Sequence, residues 1–343
     1  MSLLNLSESI DSLKLYMGSA GVNPKTTTLT VCLLGGELTT LSITYLRQVK
    51  ELLKQGFTEF RDIEIGIQTN LIMTTAKLDD VYRLFNGNIG TSIDNFSDAR
   101  KFKGSSERYR DIFNQNVEHI KKGYGDTLGG CYVVSTGSMK YVASEVSLAE
   151  EREHPLKLIV GRQSAIGEEV FSQRQLNKLT NLYVSLLEGW FMRSSVALEP
   201  FLYMLNRKLS LLGGELDPFE SCNMTNKCHA QGVCMEPNGD FYFCQELADL
   251  KKMKLGNLLT GELDSMPIDV SKFREASITI GCSSCLHFNA CKGGCMAYAL
   301  DAGALPSAKD PYCSLHYAVY SKIDEMLDTY EKAEIIKWKK TLK

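Results

Sequence analysis

TLTVCLLGGELTT, residues 28–40, reads as a buried strand running into a glycine turn. The same unit recurs downstream. DIEIGIQT (62–69), NIGTSID (88–94), CYVVST (131–136) and LKLIVG (156–161) are further short apolar runs. Helical patterns separate them, over 43–55, around 78–85 and in SSERYRDIFNQNVEHIKK (105–122), which opens on a serine cap. A long helix is expected over 173–191 and another near 198–209. Strands alternating with helices imply βαβ units and a parallel sheet, so the fold class is α/β. Five strands are too few for a closed eight-stranded barrel, which leaves an open or partial (β/α) barrel.

The composition changes after LLGGELDP (211–218), where cysteines, glycines and short β-like pieces take over. EPNGDFYFC (236–244) carries an Asn-Gly pair that predicts a hairpin. A final helix is expected from Tyr317 to the end. The 343 residues carry a formal net charge of −3, which argues against a nucleic-acid binder held by a general basic field. The basic end EIIKWKKTLK reads as a solvated helix terminus. No stretch has the length of a membrane span, and the N-terminus has no basic leader before an apolar core. The cytoplasm is therefore the default location.

Nine of the 11 cysteines lie between Cys222 and Cys313; Cys32 and Cys131 stand apart. The spacing is C-x5-C-x5-C-x9-C from Cys222 to Cys244, C-x2-C-x5-C-x3-C from Cys282 to Cys295, then x17 to Cys313. An odd number in the cluster fits poorly with complete disulfide pairing, and a reducing compartment favours thiolate–metal ligation. Nine thiolates make two four-thiolate sites with one left over, suited on spacing alone to zinc or to iron–sulfur clusters. His229 and His287 are isolated and read as structural.

The block C-x5-C…NGDFYFC…C-x2-C-x5-C-x3-C-x17-C resembles the SPASM extension of radical S-adenosylmethionine (SAM) enzymes, peptide- or protein-modifying maturases similar to the anaerobic sulfatase-maturating enzymes. The resemblance implies two auxiliary [4Fe–4S] clusters with interleaved ligands. Cys222, Cys228, Cys244 and Cys295 would hold one, and Cys282, Cys285, Cys291 and Cys313 the other. Cys234 is left over as a small buried residue. The glycines of KGGC would let the backbone approach a bulky cluster. LLGGELTTL after its strand resembles the GGE motif, followed at the expected intervals by IQTN (67–70) and TSIDNFSDAR (91–100). Gly35, Gly36, Glu37, Ser92 and Asp94 would then hold SAM, with Arg100 a weaker candidate.

The implied architecture is a partial radical SAM (β/α) barrel over 1–212, missing its first strand, then a SPASM domain over 213–343 ending in a helix. The implied partners are a peptide or protein substrate and an electron donor of the flavodoxin or ferredoxin type, with no nucleic acid and no membrane. The pattern departs from the family at two points. No C-x3-C-x2-C precedes GGE, and LSESIDSLKLYMG (6–18) reads as the helix that follows the cluster loop, so the chain reads as starting beyond it. That makes a catalytically inactive homologue or a truncated form, serving in peptide binding or electron transfer, the alternative to an active maturase. A zinc-stabilised binding module is the third reading. In addition Gln245 stands where sulfatase-maturating members carry an Asp, and Gln cannot take a proton.

Overall fold

The computed structural model describes residues 1–162, 171–213 and 224–343. Strands β1 (Thr28–Leu33), β2 (Asp62–Thr69), β3 (Ile89–Ser92), β4 (Gly130–Val134), β5 (Leu156–Val160) and β6 (Leu198–Glu199) form one parallel sheet in chain order. Among the described residues the sheet is open, because β1 and β6 each pair with one neighbour. The expected α/β class with a partial parallel barrel is what the chain adopts, with β6 as a sixth short strand ahead of the helix Phe201–Leu211.

Helices begin where side-chain oxygens satisfy free N–H groups. Ser42, Thr74, Ser105 and Ser172 each accept a backbone N–H three residues on. The apolar stripes of these helices (Leu46, Val49 and Leu53 in Ile43–Gly56, for instance) pack on one face of the sheet, against Ile65, Ile67, Ile89, Tyr132, Val134, Leu156 and Leu158. Helix Val142–Arg152 was not foreseen, its stripe being short.

The opposite face of the sheet is different. Register places Thr30, Glu64, Ser92, Cys131, Val133 and Lys157 on it. Thr30, Cys32, Glu64, Val133 and Lys157 are exposed there. Strand β1 is thus half-buried rather than buried, a correction whose cause is that only one of its faces has helices packed on it.

A second sheet, antiparallel in the order β10-β9-β8-β7, is built from β7 (Cys234–Met235), β8 (Asp240–Tyr242), β9 (Lys254–Asn257) and β10 (Glu262–Leu263). The expected hairpin joins β7 to β8, with Gly239 at φ +89° in its turn. Phe241, Phe243, Leu247, Leu255 and Met296 form a separate apolar cluster on this sheet. The N-terminal helix Leu3–Ser19 serves both cores: Leu6 and Ile10 join the first, while Tyr16 packs edge-on against Phe241, with ring centres 5.2 Å apart.

Three side chains tie the end of β5 to the cysteine-rich part. The Tyr298 hydroxyl donates to Val160 O (2.5 Å) and the Tyr312 hydroxyl to Gly161 O (3.1 Å). Buried Arg162 pairs with Glu246 and, at 3.0 Å, with Asp249. The expected single C-terminal helix is two, Cys313–Leu327 and Lys332–Lys339. The break lets Tyr330 and Trp338 pack on Phe191 and Trp190, with Trp338 Nε1 donating to Ser194 O. Among the described residues no helix is long and apolar enough to cross a membrane.

His154, just ahead of β5, is buried, and burial, reinforced by Arg152 and Lys121, pushes its imidazole down to about 4. In the unfolded chain it takes a proton near its ordinary value of about 6.5. Between those two values only the unfolded state binds that proton, so stability falls as pH falls through the window. The expected loss is about 3 kcal/mol between pH ~6.5 and pH ~4. Urea midpoints of His154→Gln should fall less over this window than those of the parent; equal slopes would show that His154 does not drive the effect.

Candidate metal centres

Two cavities in the cysteine-rich part carry the thiols. Cys282, Cys285, Cys291 and Cys313 line the first, together with His287, Lys309, Asp310 and His316. Cys228, Cys244 and Cys295 line the second, with Asn226, Phe243 and Arg274. Cys222 lies outside the described residues. Cys234 lines neither; it pairs with Tyr242 across the hairpin and packs against the second core.

Neighbours in sequence thus separate in space. Cys291 faces one cavity and Cys295, four residues on, the other. Three consecutive left-handed residues, Lys292 (φ +53°), Gly293 (φ +81°) and Gly294 (φ +74°), turn the chain between them. A Cβ on Gly293 would meet Thr279 Oγ1 at 2.4 Å and one on Gly294 would meet Asp310 Cβ at 2.3 Å. What requires glycine here is therefore backbone conformation and packing on the protein's own side chains, rather than the bulk of a bound group. Asp310 fixes the turn: its Oδ2 accepts the Cys295 N–H at 3.1 Å and its Oδ1 the Tyr312 N–H at 2.7 Å.

Burial, with Asp310 next, pushes the Cys291 thiol up to about 12 and the Cys295 thiol well above its ordinary value. Burial also raises Cys282 and Cys313. Such thiols become thiolates when a bound cation replaces the proton. Four thiolates around one zinc lie about 3.8 Å apart, given Zn–S bonds of ~2.3 Å. Among the described residues no three Cys, His, Asp or Glu side chains converge closely enough to hold a single ion. Among the described residues each cavity also has one buried nitrogen without a partner, His316 Nδ1 in the first and Arg274 Nε in the second. The donor set and the two unpartnered nitrogens fit a sulfur-bridged cluster, whose sulfides accept hydrogen bonds.

Both ring nitrogens of His229 and of His287 are engaged by protein groups, although His287 also lines the first cavity. His287 uses Nδ1 on Lys208 and Nε2 on Ser321; His229 uses Nδ1 on Ser271 and Nε2 on Glu275. Sequence reading gave no signal for Arg274, Asp310 or His316. Each looks like an ordinary surface residue until the fold buries it.

The positions expected to hold SAM gather at the carboxyl ends of the parallel strands, where ligands bind in such sheets. Gly35, at φ +127°, and Gly36 follow β1 and have open space beside them. Glu37 Oε1 accepts Thr39 N–H (3.2 Å), the Thr39 hydroxyl (2.5 Å) and the Thr69 hydroxyl (2.8 Å), while Oε2 accepts Asn70 N–H (2.9 Å). The carboxylate thereby ties the end of β1 to the end of β2. Ser92 Oγ accepts from Gln68 Nε2 at 3.4 Å, and Ser92 O from the Tyr109 hydroxyl at 3.2 Å. Asp94 is turned onto its own loop: its two oxygens take the N–H and the hydroxyl of Ser97 (2.9 and 2.6 Å). Burial raises the Tyr109 hydroxyl to about 12, opposed by the positive charge of Arg100. Gln245 is exposed at the start of the helix Gln245–Asp249.

No family model matches the chain. A serine-type anaerobic sulfatase-maturating enzyme of Bacteroides thetaiotaomicron is 24% identical over 290 residues, covering 76% of this chain and 67% of that enzyme. The mycofactocin maturase MftC of Mycobacterium ulcerans is 36% identical over 98 residues, 27% of this chain and 26% of its own length. Among solved structures, native anSMEcpe with bound AdoMet has a TM-score of 0.71 at 19% identity, over 94% of this chain and 88% of that one. Native anSMEcpe with bound AdoMet and the Cp18Cys peptide has a TM-score of 0.68 at 18% identity, over 94% of this chain and 90% of that one. At such identities the structural likeness speaks for the fold. Sequence relatives and fold together bear out the resemblance to radical SAM/SPASM enzymes.

Proposed function

We propose that this chain, a homologue of sulfatase- and mycofactocin-maturating enzymes, is an iron–sulfur protein that acts in the modification of a peptide or protein substrate. The observation that carries this reading is the sorting of interleaved cysteines into two thiol-lined cavities. Cys282, Cys285, Cys291 and Cys313 would hold one auxiliary [4Fe–4S] cluster. Cys228, Cys244 and Cys295, with Cys222, would hold the other. When bound, such clusters supply one-electron chemistry. The protein's part is to keep the thiols buried and sorted by the left-handed turn, and to hold them close to the end of β5 through Tyr298, Tyr312 and Arg162.

SAM would lie across the ends of β1 to β3. Gly35 and Gly36 leave the backbone open there, and Glu37 Oε2, with one donor on it, has capacity left for a cationic amino group. The exposed sheet face bearing Cys32, Glu64, Val133 and Lys157 would receive the peptide. Electrons would come from a flavodoxin- or ferredoxin-type donor. Four thiolates per cluster leave no iron open to SAM, and no C-x3-C-x2-C occurs within these 343 residues. On this reading the two clusters carry electrons or grip substrate, and cleaving SAM is not their task.

Anaerobic reconstitution tests it. The expected result is about eight irons with matching sulfide per chain and no zinc, as two [4Fe–4S] clusters require. EPR spectra of the reduced protein should be indifferent to SAM. Stoichiometric zinc in place of iron would dismiss the reading, and a SAM-dependent spectrum would show that one iron is open.

A further inference from the structure

Arg274 sits in the wall of the second cavity with only 1% of its surface exposed. An arginine carries five N–H donors and no acceptor. Four are spent on carbonyls: Nη1 donates to Pro306 O and to Ala308 O (2.8 Å), and Nη2 to Gly293 O (3.3 Å) and Gly294 O (3.1 Å). The fifth, on Nε, is buried and has no partner among the described residues. Asp310, the acid in its electrostatic surroundings, spends its carboxylate on the N–H groups of Cys295 and Tyr312. A permanent cation is thus buried among carbonyls, with one donor to spare, beside three thiols. Burial works against its charge, while Cys228 and Cys295 of this cavity, Asp310 and, from the other cavity, Cys282 support it.

We propose that Arg274 donates its Nε–H into the cavity of Cys228, Cys244 and Cys295, and that its fixed charge raises the reduction potential of the cluster held there above that of the other. The inference rests on the cluster reading given above. Reduction adds one electron to the cluster, with no bond made or broken, so the reduced form carries one more negative charge. A donor and a cation in a low-dielectric wall favour that form. The other cavity offers the imidazole of His316 and the ammonium of Lys309, but Lys309 is exposed, so water and salt screen its charge, whereas Arg274 is buried. The arrangement orders the two sites: an electron arriving from outside would settle on the Arg274 side.

The reading competes with a plain structural role, since the four carbonyls belong to the loops 293–294 and 306–308 that lead to Cys295 and Cys313. The experiment separates the two. Parent, Arg274→Lys and Arg274→Gln proteins are reconstituted, iron is counted, and potentiometric titration with dithionite is followed by EPR. Signals are assigned with variants that keep one cluster.

In fully loaded Arg274→Gln the oxidised-to-reduced ratio of the neighbouring cluster, at fixed solution potential, should rise at least tenfold, which is 59 mV for one electron. The Lys variant should fall between, and the Cys282 cluster should move less. Unchanged ratios at full loading would overturn the inference. If Arg274→Gln fails to keep iron, parent protein labelled with ¹⁵N-arginine provides the test. A weak ¹⁵N coupling on the reduced cluster is then expected, and its absence would overturn the proposal. A parent protein that takes up no iron would overturn the cluster assignment first, and this inference with it.

Discussion

Cys291→Ala should retain about half the iron of the parent, Cys295→Ala should lose the other half, and the double variant should hold almost none. Adjacency in sequence argues the opposite. Were Cys282, Cys285, Cys291 and Cys295 one ligand set, both single changes would damage the same cluster, and the double variant would still keep about four irons. The structure separates these outcomes because the left-handed run Lys292–Gly293–Gly294 sends Cys295 to the cavity of Cys228 and Cys244. Cys234→Ala, outside both cavities, should leave the iron content unchanged. Binding energy at such sites is also folding energy, so each single variant should unfold at lower denaturant than the loaded parent. Four irons in the double variant would refute the interleaved assignment.

The second large effect is expected at Glu37. Its carboxylate takes four hydrogen bonds from Thr39, Thr69 and Asn70, joining two strand ends beside Gly35 and Gly36. Glu37→Ala strips an acceptor from all four donors, at a cost of about 2–3 kcal/mol. It also removes the negative charge proposed to meet the SAM amino group, and affinity should fall about tenfold or more, as for other hydrogen bonds to charged groups. Glu37→Gln keeps the shape and one acceptor and should recover most of the stability but little of the affinity. Equilibrium binding of labelled SAM to reconstituted protein, with denaturation curves alongside, measures both. Parent-like affinity in a folded Glu37→Ala protein would remove Glu37 from the SAM site.

Much of this was legible in the chain. The five longer strands announced themselves by short apolar runs between turn residues, and β2 was located to the residue, because a run that alternates with helical patterns has few other ways to fold. Strand β6 was not, since two residues, Leu198–Glu199, carry no periodicity. The end of the chain was misjudged for a related reason. Nothing local in DTYE (328–331) forbids a helix, and the break there reflects where Tyr330 and Trp338 find Phe191 and Trp190.

The candidate sites divide along the same line. Residue types and spacings within the sequence determined the α/β class, the cysteine-rich second half and the count of thiols available, since these depend on local periodicity and on donor chemistry alone. Which thiols share a cavity depended on the sign of three φ angles. Which charges stand beside them depended on contacts between segments far apart in the chain: Arg274 reaching the carbonyls of 293–294 and 306–308, and Arg162 meeting Glu246. Burial is what turns an arginine from a solvated surface charge into a cation with one unspent donor, and burial is a property of the folded whole.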